Sequence, residues 1–225
     1  MKSAKLIGWM CLFFASSCGN KNGNAESGKK TDANVAVKSV ETLKKNIIFF
    51  GNSLTAGYGL EQSEAFPALI GARIDSLRLP YRVINAGISG ETSADGVSRI
   101  DWILQQPVSV FILELGANDG LRGLPPAESI RNLDTIIVRV KRKYPASKII
   151  LAGIQIPPSM GEKYSREFRE MFPTLARKND ILLLPFILEG VGGIDSLNQK
   201  DGIHPTAQGD RIVAENVWTL LKTIL

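Results

Sequence analysis

Five short runs of apolar, largely β-branched residues recur along the chain: Ile47–Phe50, Tyr81–Ile84, Val108–Leu115, Lys148–Ile154 and Ile181–Leu184. They are nearly continuous rather than alternating, which is the pattern of strands buried on both faces of a parallel sheet. Between them the apolar period lengthens. Over Ser129–Tyr144 the residues Ile130, Leu133, Ile136, Ile137 and Val140 share one stripe, with Arg131, Arg139 and Lys143 off it, so this segment predicts an amphipathic helix. Pro125-Pro126 precedes it and Pro145 stops it. A last helix is expected from Thr206, an N-cap after Pro205, burying Ile212, Val213, Val217 and Leu220. Strand and helix alternating at this spacing predict an α/β fold, a three-layer α/β/α sandwich around a central five-stranded parallel sheet. Ligands of such sheets bind beyond the carboxyl ends of the strands.

The first 44 residues break this rhythm. Lys2 and Lys5 precede an apolar run, Leu6–Ala15, and then come Ser16-Ser17-Cys18-Gly19. A basic start, a short apolar stretch and small residues before a cleavage point make a signal peptide over residues 1–17. The cysteine after small residues resembles the lipobox of bacterial lipoproteins, with Ala15 where leucine is usual. Cys18 is therefore the expected lipidation site, and the cell envelope the expected location, with the protein anchored to a membrane. Residues 18–44 are rich in Gly, Asn, Lys and Ser, with few apolar residues before Val35. A segment of that composition buries too little surface to order itself and is expected to serve as a tether. The folded domain is expected over 45–225.

Composition narrows the functional classes. The chain is 44% hydrophobic and 22% charged, with a formal net charge of +5. Two of the surplus charges, Lys2 and Lys5, sit in the leader, and the rest are scattered, which argues against a nucleic-acid partner. The Arg142–Lys143 neighbourhood reads as the solvated face of a helix. Cys11 would leave with the leader, so the domain has no disulfide. With one histidine and no paired cysteines, most zinc sites are excluded, and no metal or other cofactor is implied.

Four polar clusters stand where a parallel sheet would carry its chemistry. Gly51-Asn52-Ser53-Leu54-Thr55 follows the first run, and Asn85 through Thr92 the second. Leu115-Gly116-Ala117-Asn118-Asp119-Gly120 follows the third, and Asp201-Gly202-Ile203-His204-Pro205 precedes the last helix. All four should meet on one rim. His204 is the only imidazole available. Asp201, three residues upstream, could accept a hydrogen bond from its Nδ1–H, fixing the tautomer while Nε2 acts as a base on a hydroxyl. Each cluster also has a plainer reading. Asp201 could simply cap the helix entry, Ser53 could cap a helix after its strand, and Asn118-Asp119-Gly120 could be a turn. The Gly51–Gly59 stretch lacks the Gly-Lys-Ser/Thr ending of a phosphate loop. Thr55 stands where a nucleophile elbow needs its second glycine.

Together, in this order, the blocks resemble the SGNH (GDSL-like) hydrolase superfamily. Within it they are most similar to the acyl-CoA thioesterase I/lysophospholipase L1/arylesterase branch. The resemblance runs from Ile47 to the C-terminus and includes Glu114 through Gly123, Asp201 through Pro205, Asn85 through Ser93, Gln155-Ile156-Pro157 and Leu183-Leu184-Pro185-Phe186. It implies a flavodoxin-like fold and a serine ester hydrolase in which Ser53 attacks an acyl carbonyl, assisted by His204 and Asp201. It also implies an oxyanion hole made by the backbone N–H groups of Ser53 and Gly90 and the side-chain amide of Asn118. One position departs from the family: Asn52 stands where aspartate is usual, keeping an acceptor oxygen while losing the charge.

The resemblance implies an acyl groove shaped by Leu121–Pro126, Pro157–Tyr164 and Glu189–Lys200. Leu121, Leu124, Met160 and Ile194 are the expected substrate contacts, and Ile156 is expected to pack on the sheet. The expected partners are small acyl esters, thioesters or lysophospholipids. Two alternatives differ in class. A carbohydrate O-deacetylase would need aromatic rings for sugars, from Tyr58, Trp102 or Tyr164, although Trp102 falls in a helical pattern and is expected in the core. A catalytically idle binding lipoprotein would be expected to have lost one of Ser53, Gly90, Asn118, Asp201 or His204, and all five are present.

Overall fold

The first strand of the chain lies inside the sheet, one place in from its edge. β1 (Lys45–Gly51) puts Ile47, Ile48, Phe49 and Phe50 entirely out of solvent because both of its edges and both of its faces are covered. It pairs in parallel with β2 (Tyr81–Gly87) on one side and β3 (Val110–Glu114) on the other. β4 (Lys148–Ala152) and β5 (Leu182–Leu184) extend the sheet beyond β3, giving the order β2-β1-β3-β4-β5. A computed structural model describes residues 44–225. The expected leader, Cys18 and nearly all of the expected tether lie outside the described residues. Lys44 is the exception and is ion-paired with Asp75 at 2.7 Å.

Helices cover both faces of the sheet, as the alternation predicts. They are α1 (Ser53–Ala56), α2 (Phe66–Ser76), α3 (Ser93–Ile103), α4 (Ala117–Leu121), α5 (Pro126–Lys143), α6 (Glu162–Asn179) and α7 (Ala207–Leu221). α5 begins three residues earlier than its apolar stripe suggests, because Pro126 fits the first turn, where its missing N–H is not needed. Leu133, Ile136, Ile137 and Val140 are buried on it as expected, and Arg142 and Lys143 are exposed. α7 is capped by the Thr206 side chain, which accepts from the Gly209 N–H. Val213 and Val217 are buried there, whereas Ile212 and Leu220 are only half-buried at the edges of its stripe.

Two readings of the sequence need correction. β2 continues past Ile84 to Gly87, since Asn85, Ala86 and Gly87 pair in register with Phe49, Phe50 and Gly51. Trp102 is not in the core. α3 turns Ser93, Gly96, Ile100 and Ile103 inward, leaving Trp102 on the opposite side, 69% exposed.

The sheet ends at a rim where the loops after β1, β2 and β3 meet, and α1 sits directly on it. That close approach depends on two glycines. A Cβ at Gly51 would fall 2.1 Å from the Thr55 hydroxyl, and one at Gly87 would fall 2.3 Å from the Ala56 nitrogen. The last helix closes the structure from the other end of the domain. α7 packs on α2, and the Asp210 carboxylate accepts from the Phe66 N–H at 2.8 Å.

Candidate active site

Ser53 begins α1 because Asn52 ends the strand. The Asn52 side chain accepts from the Leu54 N–H at 3.0 Å and so caps the turn. Beneath it lies Glu114, the last residue of β3, fully buried. Its Oε2 accepts from the Asn52 N–H at 3.2 Å, the Thr55 N–H at 3.3 Å and the Thr55 hydroxyl at 2.8 Å. The residues on either side of Ser53 are thus tied to one carboxylate. Asn85, from β2, adds a bond from its Nδ2 to the Thr55 carbonyl at 2.8 Å.

The imidazole arrives from the turn before α7. His204 Nε2 lies 2.8 Å from Ser53 Oγ, across 151 residues of sequence, and His204 Nδ1 lies 2.7 Å from Asp201 Oδ2. The other oxygen of Asp201 accepts the backbone N–H groups of Ile203 and His204 at 2.9 and 3.0 Å. These bonds, led by the His204 N–H and then its ring, hold the Asp201 carboxyl down at about 2. It is an anion at any pH where the imidazole can act as a base. Asp201 therefore both shapes the turn and orients the ring, so the capping role open from sequence coexists with the histidine contact.

Two further side chains lie against this turn, Gln199, which the sequence reading missed, and Tyr58. Gln199 receives no warning from its spacing, yet its N–H donates to the His204 carbonyl at 2.7 Å. Its Nε2 donates to the carbonyls of Tyr58 at 2.7 Å and Pro205 at 2.9 Å. It thereby joins the segment after α1 to the histidine turn. The Tyr58 ring lies 4.6 Å from the imidazole centroid, tilted by 42°.

The third group of expected residues faces Ser53 from the other strands. Gly90 has φ +85°, a conformation that favours glycine, and a Cβ there would meet nothing within 4 Å. The Gly90 carbonyl is held by Arg122 at 2.9 Å. Asn118 begins its amide bonding with the Glu91 carbonyl, 2.8 Å from Nδ2, and Asp119 beside it is buried, accepting from Ser93 and Ser129. Among the described residues, neither the Ser53 nor the Gly90 N–H donates to a protein acceptor. Free donors beside a histidine-bonded hydroxyl can bind an oxyanion as that hydroxyl attacks a carbonyl.

Ser53, Gly90, Asn118 and His204 line a single cavity of about 560 Å³. Its apolar walls are Leu54, Leu121, Ile154, Ile156, Phe186 and Leu188. Of the expected substrate contacts, Leu121 lines it, while Leu124, Met160 and Ile194 do not. The chain turns at Gly123 (φ +67°) after α4, Met160 packs against the core, and Ile194 is 43% exposed. Ile156 is both buried on the sheet and part of the wall. The residues missed from sequence, Ile154, Phe186 and Leu188, sit just past β4 and β5, where the strand-end rule itself points.

Residues 49–212 match the model of the GDSL-like Lipase/Acylhydrolase family. The chain is 38% identical over 182 residues to Esterase TesA of Pseudomonas aeruginosa, covering 80% of this chain and 90% of that one. It is 36% identical over 170 residues to Thioesterase 1/protease 1/lysophospholipase L1 of Escherichia coli strain K12, covering 75% and 79%. A crystal structure of TesA superposes with a TM-score of 0.77 at 38% identity, covering 80% of this chain and 100% of that one. The chain belongs to the GDSL-like lipase/acylhydrolase family, the SGNH hydrolases, and is a carboxylic ester hydrolase.

Proposed function

We propose that the protein hydrolyses acyl esters and thioesters through an acyl-enzyme formed on Ser53. The observation that carries this reading is the continuous array from Ser53 Oγ through His204 to Asp201, at 2.8 and 2.7 Å, on the wall of the cavity. In the first half-reaction His204 Nε2 takes the Ser53 proton as Oγ bonds to the acyl carbon. The carbonyl oxygen, now an anion, is received by the N–H groups of Ser53 and Gly90 and the amide of Asn118. His204 then returns the proton to the departing alcohol or thiol. In the second half-reaction it takes a proton from water as the water oxygen bonds to the acyl carbon, then gives that proton to Ser53 Oγ as the acyl–oxygen bond breaks and the acid leaves.

The walls decide the acyl group. They are built from leucine, isoleucine and phenylalanine, which suit a hydrocarbon chain. Of the three aromatic residues that a sugar-binding cleft could use, only Tyr58 lines the cavity. Trp102 lies on the outer side of α3, and the Tyr164 hydroxyl is bonded to the Leu124 carbonyl. Esters and thioesters of medium and long acids are therefore the substrates, lysophospholipids among them. The test is a series of p-nitrophenyl esters from acetate to palmitate, run with Ser53→Ala as the blank. Ser53-dependent turnover peaking beyond butyrate is expected, whereas a peak confined to acetate would favour the O-deacetylase.

The envelope placement rests on the residues before the domain. Lys2 and Lys5, the Leu6–Ala15 run and Ser16-Ser17-Cys18 support acylation of Cys18 and a membrane-tethered enzyme. Metabolic labelling with a fatty acid should tag the wild-type chain and leave Cys18→Ser untagged; equal labelling of both would remove the anchor.

A further inference from the structure

Among the described residues, three buried side-chain polar atoms lack a hydrogen-bond partner, and two of them belong to residues in contact under the serine turn: Asn52 Nδ2 and Glu114 Oε1. Both residues are essentially without solvent exposure. Leaving a buried donor and a buried acceptor unmatched is costly, and here the unmatched pair is complementary in type. The Asn52 amide acts on Glu114 in the sense that favours its charged form, although neither atom makes a bond of ordinary geometry.

We propose that Glu114 is a positioning residue for Ser53 that works as a carboxylate, and that Asn52 is the neutral amide that lets this single buried charge stand under the turn. The proposal rests on Ser53 being the nucleophile. Its basis is the set of bonds already described: Oε2 of Glu114 holds the N–H of Asn52 and both the N–H and the hydroxyl of Thr55. Those are the residues that flank Ser53. They determine where Oγ meets His204 and where the Ser53 N–H points.

The ionisation of Glu114 is finely placed. Burial pushes its carboxyl up to about 7, against the opposing pull of the Thr55 hydroxyl and the backbone N–H groups of Asn52 and Thr55. The charged groups on the surrounding elements are committed elsewhere. Arg99 of α3 is paired with Glu91 at 2.6 Å and bonded to the carbonyls of Gly51 and Ala86. Asp119 of α4 is held by Ser93 and Ser129, and the Asp201–His204 pair belongs to the turn above Ser53. What favours the charged form of Glu114 is thus hydrogen bonding and not a counter-charge. A second acid at position 52 would place two carboxyls in contact, and they could coexist only by sharing a proton.

A charge exchange tests this. Glu114→Gln removes the charge and turns an amide NH₂ toward that of Asn52. It is expected to lower kcat about 10- to 100-fold while KM stays within about 3-fold, a split that a general loss of binding would not give. Adding Asn52→Asp to it moves the carboxylate to the other side of the contact. The new acid can still cap the Leu54 N–H while accepting from the amide at 114, so the double variant should return to within about 3-fold of wild-type kcat. Asn52→Asp alone should be active while the two acids share a proton and lose turnover as pH is raised to about 9, where the wild type retains it.

Circular dichroism and melting confirm folding of each variant. If Glu114→Gln does not fold, the pH profile of Asn52→Asp decides alone, and a profile identical to wild type overturns the proposal. A double variant no more active than Glu114→Gln also overturns it, as does undiminished kcat in Glu114→Gln. The same four chains carrying Ser53→Ala separate this proposal from the catalytic reading. Their melting temperatures should still show coupling, the double variant exceeding the sum of the single shifts by about 4 °C or more. Turnover surviving Ser53→Ala would sink the nucleophile assignment while leaving that coupling intact.

Discussion

His204→Ala is expected to lower ester turnover by about 10⁴-fold or more, to the level left by Ser53→Ala, in a protein that still folds. The chain has no other histidine to take over. Ser53 and His204 act on the same proton, so removing either removes the same step, and the double variant should be no worse than either single one. Folding should survive, because the ring sits at the cavity wall, 17% exposed, and the turn is held by backbone bonds to Asp201 and Gln199 that alanine keeps. The measurement is kcat on a p-nitrophenyl ester at mildly alkaline pH, alongside a melting curve. A well-folded His204→Ala protein retaining a tenth of wild-type turnover would remove the proposed base. Asp201 should contribute no titration to the wild-type rate at neutral pH, because its carboxyl is held at about 2.

Asn118→Ala is expected to reduce kcat by about 10²–10³-fold with little change in KM, the usual cost of one oxyanion donor. The substitution removes the amide that now bonds the Glu91 carbonyl, so part of the loss could come from a shifted loop. Two readouts separate these effects. Labelling by a fluorophosphonate, which also develops charge on oxygen, should slow by a factor similar to kcat. The melting temperature should change little, because Asp119 continues to fasten α4 to Ser93 and Ser129. A large fall in melting temperature with unchanged kcat in the surviving fraction would make Asn118 a structural residue only.

Much of the fold was legible in the sequence where burial is complete. β1, β3 and β4 read as unbroken apolar runs because they are covered on both faces. β2 was cut short because its last residues, Asn85, Ala86 and Gly87, are chosen for contacts with α1 rather than for apolar burial. α6 left little trace as an element. Its first half, Glu162 to Arg169, is densely charged, and Pro173 stands inside it, although Phe168, Met171, Phe172 and Leu175 form a buried face. Trp102 shows the opposite error: its helical pattern reads as an interior position, when α3 turns Ser93, Gly96, Ile100 and Ile103 inward and leaves it outside.

The residues at the site fared differently according to where their information resides. Ser53, Gly90, Asn118, Asp201 and His204 lie within short ordered blocks, and the structure brings all but Asp201 onto one cavity, with Asp201 bonded to the His204 ring. The cavity walls were harder, because Leu124, Met160 and Ile194 are apolar residues in the expected loops while the actual lining also draws on Ile154, Phe186 and Leu188. Nothing in a loop's composition says which side faces the ligand. Glu114 carried a signal that passed unused. A charged residue closing an otherwise apolar strand has to be matched by donors, and the donors are the backbone and side chain around Ser53.

The order in which the ribosome delivers these parts has its own effect. Ser53 emerges early and His204 follows 151 residues later, on a turn fixed in place when α7 settles against α2 and Asp210 meets the Phe66 N–H. A nascent chain therefore carries the serine without the imidazole until a further 151 residues have been made. Premature termination before His204 would release a fragment that holds Ser53, Gly90 and Asn118 but lacks the imidazole bonded to the serine hydroxyl. In the folded protein the same seam is a point of failure for the site, since loosening α7 from α2 would draw His204 away from Ser53 while leaving Ile154, Ile156, Phe186 and Leu188 in place.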